Sequence, residues 1–128
     1  MADKTLMIDT TLLIDYFRKT DKPKARLVQL SQQFEQLAIS SVTEFEVYSG
    51  ATPAQLQFWQ ELLSEIVVLP FDSKAAHVAV DVHQELKRLR KTIDKADLFI
   101  AATAIANNLT LDTLNRKHFD KIGQLALL

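Results

Sequence analysis

Four short stretches place oxygen-bearing side chains where they could do chemistry. In MIDTTLLIDYF, residues 7–17, an apolar run ends directly on Asp9 and passes into Thr10 and Thr11. In SVTEFEVYSG, residues 41–50, Glu44 and Glu46 stand on what reads as one helix. In TIDKADLFIAATAIA, residues 92–106, Asp94 and Asp97 open an alanine-rich segment. In LTLDTLNRKHF, residues 109–119, an apolar run leads into Asp112, Thr113 and Asn115. Each has a plain structural reading. Asp9 can be a turn residue, Asp94 an N-cap, Asp97 an acid favoured in a first helical turn, and Asp112 or Asn115 a loop cap. Together they point elsewhere. Two unit charges about 4 Å apart repel by roughly 4 kcal/mol at an effective dielectric near 20, so a cluster of these acids needs a cation. Oxygen donors in a chain without cysteine suit Mg²⁺ or Mn²⁺ rather than zinc.

The elements that would bring these residues together can be read from apolar spacing. Thr5 to Ile8 and Leu37 to Ser40 read as short buried strands, Ile66 to Leu69 as a β-branched third stopped by Pro70, and Leu109 to Leu111 as a fourth. Leu125 to Leu128 is a candidate fifth. Between them lie helical patterns: Thr11 to Arg18, Lys24 to Gln36, and Ser41 to Tyr48 with Gly50 as its cap. A further helix begins near Pro53, a long one is capped by Asp72 or Ser73, and the last runs from Ala96 to Asn107. Buried strands alternating with helices predict an α/β domain with a parallel sheet covered on both faces. In such sheets ligands bind beyond the carboxyl ends of the strands, where Asp9 falls. At about 100° per residue, Glu46 projects within roughly 40° of Val42, on the packed side, and Glu44 nearly opposite, towards solvent.

The bulk composition sets outer bounds. A chain of 128 residues, 48% hydrophobic and 24% charged, fits one domain over residues 1–128 with a real core. No apolar run reaches the roughly 20 residues of a membrane span, and the opening MADKTLMID has no long apolar core of the signal-peptide kind. With the lack of cysteine, this leads us to expect a cytoplasmic protein. A net charge of −1 excludes nucleic-acid binding by bulk positive charge and leaves room for local basic patches.

The four stretches, in this order, resemble the PIN-domain family, and in length and segmentation the VapC-type toxins of type II toxin–antitoxin pairs. The resemblance spans nearly the whole chain. It implies a PIN-like three-layer α/β/α fold with a central parallel sheet of four to five short strands. It also implies a catalytic set of Asp9, Glu46, Asp97 and Asn115, with Mg²⁺ or Mn²⁺ held by Asp9, Glu46 and Asp97. Asn115 is a neutral amide where the family has Asp or Asn, and Asp112 stands where it usually has an apolar strand residue. Thr10, Thr113, Asp94 and Asp112 are then supporting residues, and Arg18, Lys19, Arg88, Arg90 and Arg116 candidate RNA contacts. His118 is read as a packing or backbone residue. The implied activity is metal-dependent hydrolysis of RNA (transfer, ribosomal or messenger) by a homodimer held in check by a cognate VapB-like antitoxin. The alternative is a PIN-fold module that binds RNA or protein without cutting. A phosphotransfer domain built on Asp9 fits poorly, because the acid it needs two residues later is Thr11.

Overall fold

The structure, a computed structural model, describes residues 4–128. Its centre is β1 (Thr5–Ile8), where Leu6, Met7 and Ile8 are all fully buried. A strand apolar on both sides must be covered on both faces, and the side-chain alternation divides the core accordingly. Leu6 and Ile8 meet the layer formed by α1 (Thr10–Arg18), α2 (Arg26–Gln33) and α4 (Leu56–Leu63), through Leu12, Leu13, Leu27, Leu30, Trp59 and Leu63. Met7 faces the opposite layer of α5 (Ser73–Arg88) and α6 (Lys95–Ala106), through Val82, Leu86, Leu98 and Ala101.

The sheet is parallel throughout, in the order β3-β2-β1-β4, with β2 at Gln36–Ser40, β3 at Val67–Leu69 and β4 at Leu111–Asp112. Parallel pairing sets all four carboxyl ends on one edge. α1 starts there directly after Asp9, and α3 (Ser41–Gly50) directly after Ser40. α6 runs back against the strands before feeding β4, so its first turn lies at that edge as well. The three-layer fold expected from the sequence is the one observed. Among the described residues no helix is long and apolar enough to cross a membrane.

Several boundaries move. The helix expected from Lys24 to Gln36 ends at Gln33, because Gln36 N–H bonds to Lys4 C=O at 2.8 Å and starts β2. α3 continues through Gly50 and is capped by Ala51 instead. The candidate fifth strand is reduced to one parallel bridge between Leu111 and Leu127.

The most consequential shift concerns the fourth strand. It pairs at Leu111 and Asp112 rather than from Leu109, matching Met7 with Leu111 and Ile8 with Asp112. Leu111 therefore packs with Met7 on the α5–α6 side, while Asp112 points into the α1–α2 side. There the Arg26 guanidinium meets it in a two-pronged pair, Nε to Oδ2 at 2.5 Å and Nη2 to Oδ1 at 3.3 Å. The side chain of Asp112 is 3% exposed and that of Arg26 41%. Removing one partner of a buried pair strands the other charge, a loss of about 3–5 kcal/mol when both are buried. Because solvent reaches Arg26, Arg26→Met should cost about 2 kcal/mol, measured by urea unfolding. Arg26→Met with Asp112→Leu should recover most of that.

Candidate active site

Asp9 is both a cap and a member of a site. As the N-cap of α1 it accepts the Thr11 backbone N–H at 3.1 Å and the Thr11 hydroxyl at 2.5 Å through Oδ1. Its Oδ2 accepts the Thr113 hydroxyl at 2.6 Å. Both hydroxyls also accept backbone N–H groups of the loop after β4: Leu114 to Thr11 at 3.1 Å, and Asn115 to Thr113 at 3.0 Å. The carboxylate thus fastens two strand ends together while only 3% of the residue is exposed. Thr113 was expected from the sequence. Thr11 was not, although a threonine two residues after a capping Asp is the available signal.

Glu46 projects from α3 on the predicted side. Thr10 Oγ1 donates to its Oε1 at 2.6 Å and lies 3.2 Å from Thr43 Oγ1. Asp97 stands in the first turn of α6, and His118 Nδ1 lies 3.1 Å from its Oδ2. His118 belongs to the short turn Arg116–His118, three positions beyond Asn115, and is exposed. Expected from the sequence to make a packing or backbone contact, its side chain instead meets an acid of the site. Asp94 holds the N-cap position of α6 without a capping bond from its side chain.

These groups line one cleft of about 700 Å³: Asp9, Asp15, Glu46, Asp94 and Asp97, with Thr10, Thr11, Asn115, His118 and Arg18. Four segments separated in the chain converge there. Asp112 does not line it; only its carbonyl takes part, accepting the Asp9 N–H at 3.3 Å. Glu44 is also absent from the lining. Of the basic candidates, Arg18 borders the cleft. Lys19 pairs with Asp15 at 3.4 Å. Arg88 is paired with Glu85, Arg116 donates to the Leu128 carbonyl at 2.6 Å, and neither these two nor Arg90 lines the cleft.

The electrostatics match a site short of positive charge. Burial pushes the Asp9 carboxyl above its ordinary range; the Thr11 and Thr113 hydrogen bonds pull it down, and the charge on Asp97 adds to the rise. Partial burial also raises Asp97, with Asp94 adding repulsion and His118 and Lys121 opposing it. All the acidic donors are oxygens. Among the described residues no three His, Asp or Glu side chains are gathered tightly enough to cage a bare ion. Oxygen donors of this kind suit a hard divalent ion.

A parallel three-layer domain with an acidic cleft at the carboxyl edge of its sheet is the arrangement of a PIN domain. The PIN-domain model matches residues 6–125, and the chain belongs to that family. It is 32% identical to Ribonuclease VapC1 of Methanocaldococcus jannaschii, over 98% of this chain and 86% of that protein. It is 30% identical to the tRNA(fMet)-specific endonuclease VapC of Shigella flexneri, over 93% and 92% of the two chains. Among solved structures it superposes on a chain of VapBC2 from Rickettsia felis, bound to a DNA fragment from their promoter. That match has a TM-score of 0.80, 28% identity and coverage of 97% of each chain.

Proposed function

We propose that this chain is a VapC-type endoribonuclease toxin that hydrolyses RNA phosphodiester bonds with Mg²⁺ or Mn²⁺. The observation that carries the reading is the convergence of Asp9, Glu46 and Asp97 on one cleft in a chain similar to ribonucleases along nearly its whole length. These three carboxylates would hold the ion, directly or through water. A bound divalent ion supplies a lowered proton affinity for water and charge neutralisation at a phosphate. The protein's own contribution is orientation. Thr11 and Thr113 lock Asp9, Thr10 steers Glu46, and His118 steers Asp97. Asn115 adds a neutral oxygen or amide donor at the rim. Arg18 is the cation placed to attract the RNA backbone. With Asp15, Asp94 and the three ligand acids in one cleft, RNA approaches only once their charge is offset.

The tRNA named for the Shigella relative makes transfer RNA the first substrate to test. The structural neighbours are toxin–antitoxin complexes, and the same reading gives this chain a VapB-like partner and a homodimeric working form. Antitoxin-free protein incubated with total tRNA and Mg²⁺ or Mn²⁺ should yield discrete fragments. Excess chelator should stop the reaction, and added metal should restore it. RNA retained on the protein without products, whatever the metal, would instead mark a binding module and end the enzyme reading.

A further inference from the structure

A second hollow, of about 220 Å³, opens off the acidic cleft at the start of α6. It is lined by Thr92, Ile93, Asp94, Asp97, His118 and Lys121, and shares Asp94, Asp97 and His118 with the cleft. Arg18 lines the cleft but not the hollow. We propose that Lys121, with the basic segment of residues 87–91, holds the RNA backbone where the strand passes from the cleft into this hollow. Lys121 would then anchor a phosphate other than the reacting one, at a point apart from Arg18. The inference rests on the ribonuclease reading above.

Charge is the first support. The whole chain has a net charge of −1, yet positive residues gather around this hollow. Across residues 85–95, Lys87, Arg88, Arg90, Lys91 and Lys95 stand against Glu85 and Asp94, and all five cations are exposed. Across residues 116–121, Arg116, Lys117 and Lys121 stand against Asp120. Glu85 is paired with Arg88, which leaves the other four cations of the first segment open to solvent. Lys121 is half-buried and forms no ion pair with a carboxylate of the described residues. An ammonium set in a concave wall without a partner binds phosphate as a point charge. Thr92 adds an exposed hydroxyl to the same hollow, another group that bonds phosphate oxygens.

Geometry is the second. The basic segment is a fixed turn. Arg90 adopts the left-handed conformation at φ 58°, Arg90 N–H bonds to Lys87 C=O at 3.0 Å, and Lys91 N–H bonds to Leu86 C=O at 2.8 Å. This bonding ends α5 and delivers Lys91 next to Thr92. Ordering the segment therefore costs little when a ligand arrives. Asp94 and Asp97 repel a phosphate, so the contact belongs at the Lys121 end of the hollow. Continuity with the cleft favours RNA as the occupant: a strand whose reacting phosphate lies between Asp9, Glu46 and Asp97 must carry its next phosphates along a wall of that cleft.

The test measures binding by Asp9→Asn protein, chosen to hold RNA without cutting it, of a labelled RNA that the wild type cuts at a mapped bond. Added to that background, Lys121→Gln should weaken binding about tenfold. It should also lower the slope of log Kd against log salt by about 0.7, the share of one single-strand phosphate contact. Lys121→Arg should restore both. Lys91→Gln, on the open surface, should lower the slope by a similar amount. Lys4→Gln, exposed at the amino end of β1 on the other edge of the sheet, should change neither. A neutral methylphosphonate set at each phosphate in turn should reproduce the tenfold loss at one position near the mapped bond, and add nothing there to Lys121→Gln. The same affinity and salt slope with and without Lys121→Gln would overturn this inference and leave the ribonuclease reading standing. Equal losses in Lys121→Gln and Lys121→Arg, with no methylphosphonate position coupled to either, would mark a structural role and overturn it too. Unchanged RNA binding with weakened binding of the antitoxin would assign the surface to the protein partner and overturn it likewise. No cleavage of any RNA by the wild type would remove the ribonuclease reading itself, and this anchor with it.

Discussion

Asp9→Asn should lower the rate of RNA cleavage by about 10³-fold or more, which corresponds to about 4 kcal/mol of lost transition-state stabilisation. The change is isosteric, but the single amide oxygen can accept from Thr11 or from Thr113 and not from both, so the site gives up one of these hydrogen bonds together with its most buried charge. The consequence for stability is a separate matter. The folded-state pKa of Asp9 lies above its ordinary value of 3.8, chiefly through burial. The native state thus binds that proton more tightly than the unfolded chain does. Stability from this group is fully present at low pH and is lost as pH rises through the elevated folded value. At higher pH, without metal, burial of this carboxyl weakens the fold, and the amide should keep the melting temperature close to that of the wild type, the relieved desolvation offsetting the hydrogen bond it gives up. Added Mg²⁺ should then raise the melting temperature of the wild type by mass action and that of Asp9→Asn much less. An Asp9→Asn protein that still cut RNA at the parental rate would sink the central role given to this carboxylate.

Glu46→Gln should cost about 10²-fold in cleavage, within the range seen when one electrostatic contact to a reacting centre is removed. Thr10 donates to Glu46 at 2.6 Å, and a glutamine carbonyl can accept the same bond. What disappears is the negative charge that Glu46 offers to a cation in the cleft. Glu44, two residues earlier on α3, does not line the cleft. Glu44→Gln should therefore stay within twofold of the parent under the same assay. The comparison separates the position of a charge from its mere presence on the helix. Equal losses in the two variants would mean that the general field around α3, and not a contact from Glu46, supports the reaction.

The difference between these glutamates was readable from the chain because it is a local property. Helical phase put Glu46 at the rim of the packed side, and it does line the cleft, whereas Glu44, expected to face solvent, is half-buried like Glu46 and stays outside the cleft because the packed face of α3 centres on Thr43 and Val47. Asp9 was legible for a similar reason. An apolar run that stops on an acid before an amphipathic helix gives a strand end and an N-cap, whatever the rest of the chain does. Asp97, in the first turn of α6, followed from the same local logic. Alternating short strands and helices were enough for the three-layer parallel class, since apolar patterning carries period and burial.

What local pattern could not supply was the pairing of distant segments. Thr113 reaches Asp9 across 104 positions, and Arg26 reaches Asp112 across 86. Both depend on β4 aligning Asp112 with Ile8. Side chains alternate along a strand, so a slip of one residue would have turned Asp112 towards the α5–α6 layer and Leu111 away from it. The contact of His118 with Asp97, and the hollow shared by Thr92, His118 and Lys121, arise in the same way. Local pattern told which residues carry charge and which strand ends present them. Which acids meet, and which partner each one finds, was settled by pairing in three dimensions. Register and packing are set by the sum of many apolar contacts, and no single stretch of the chain contains that sum.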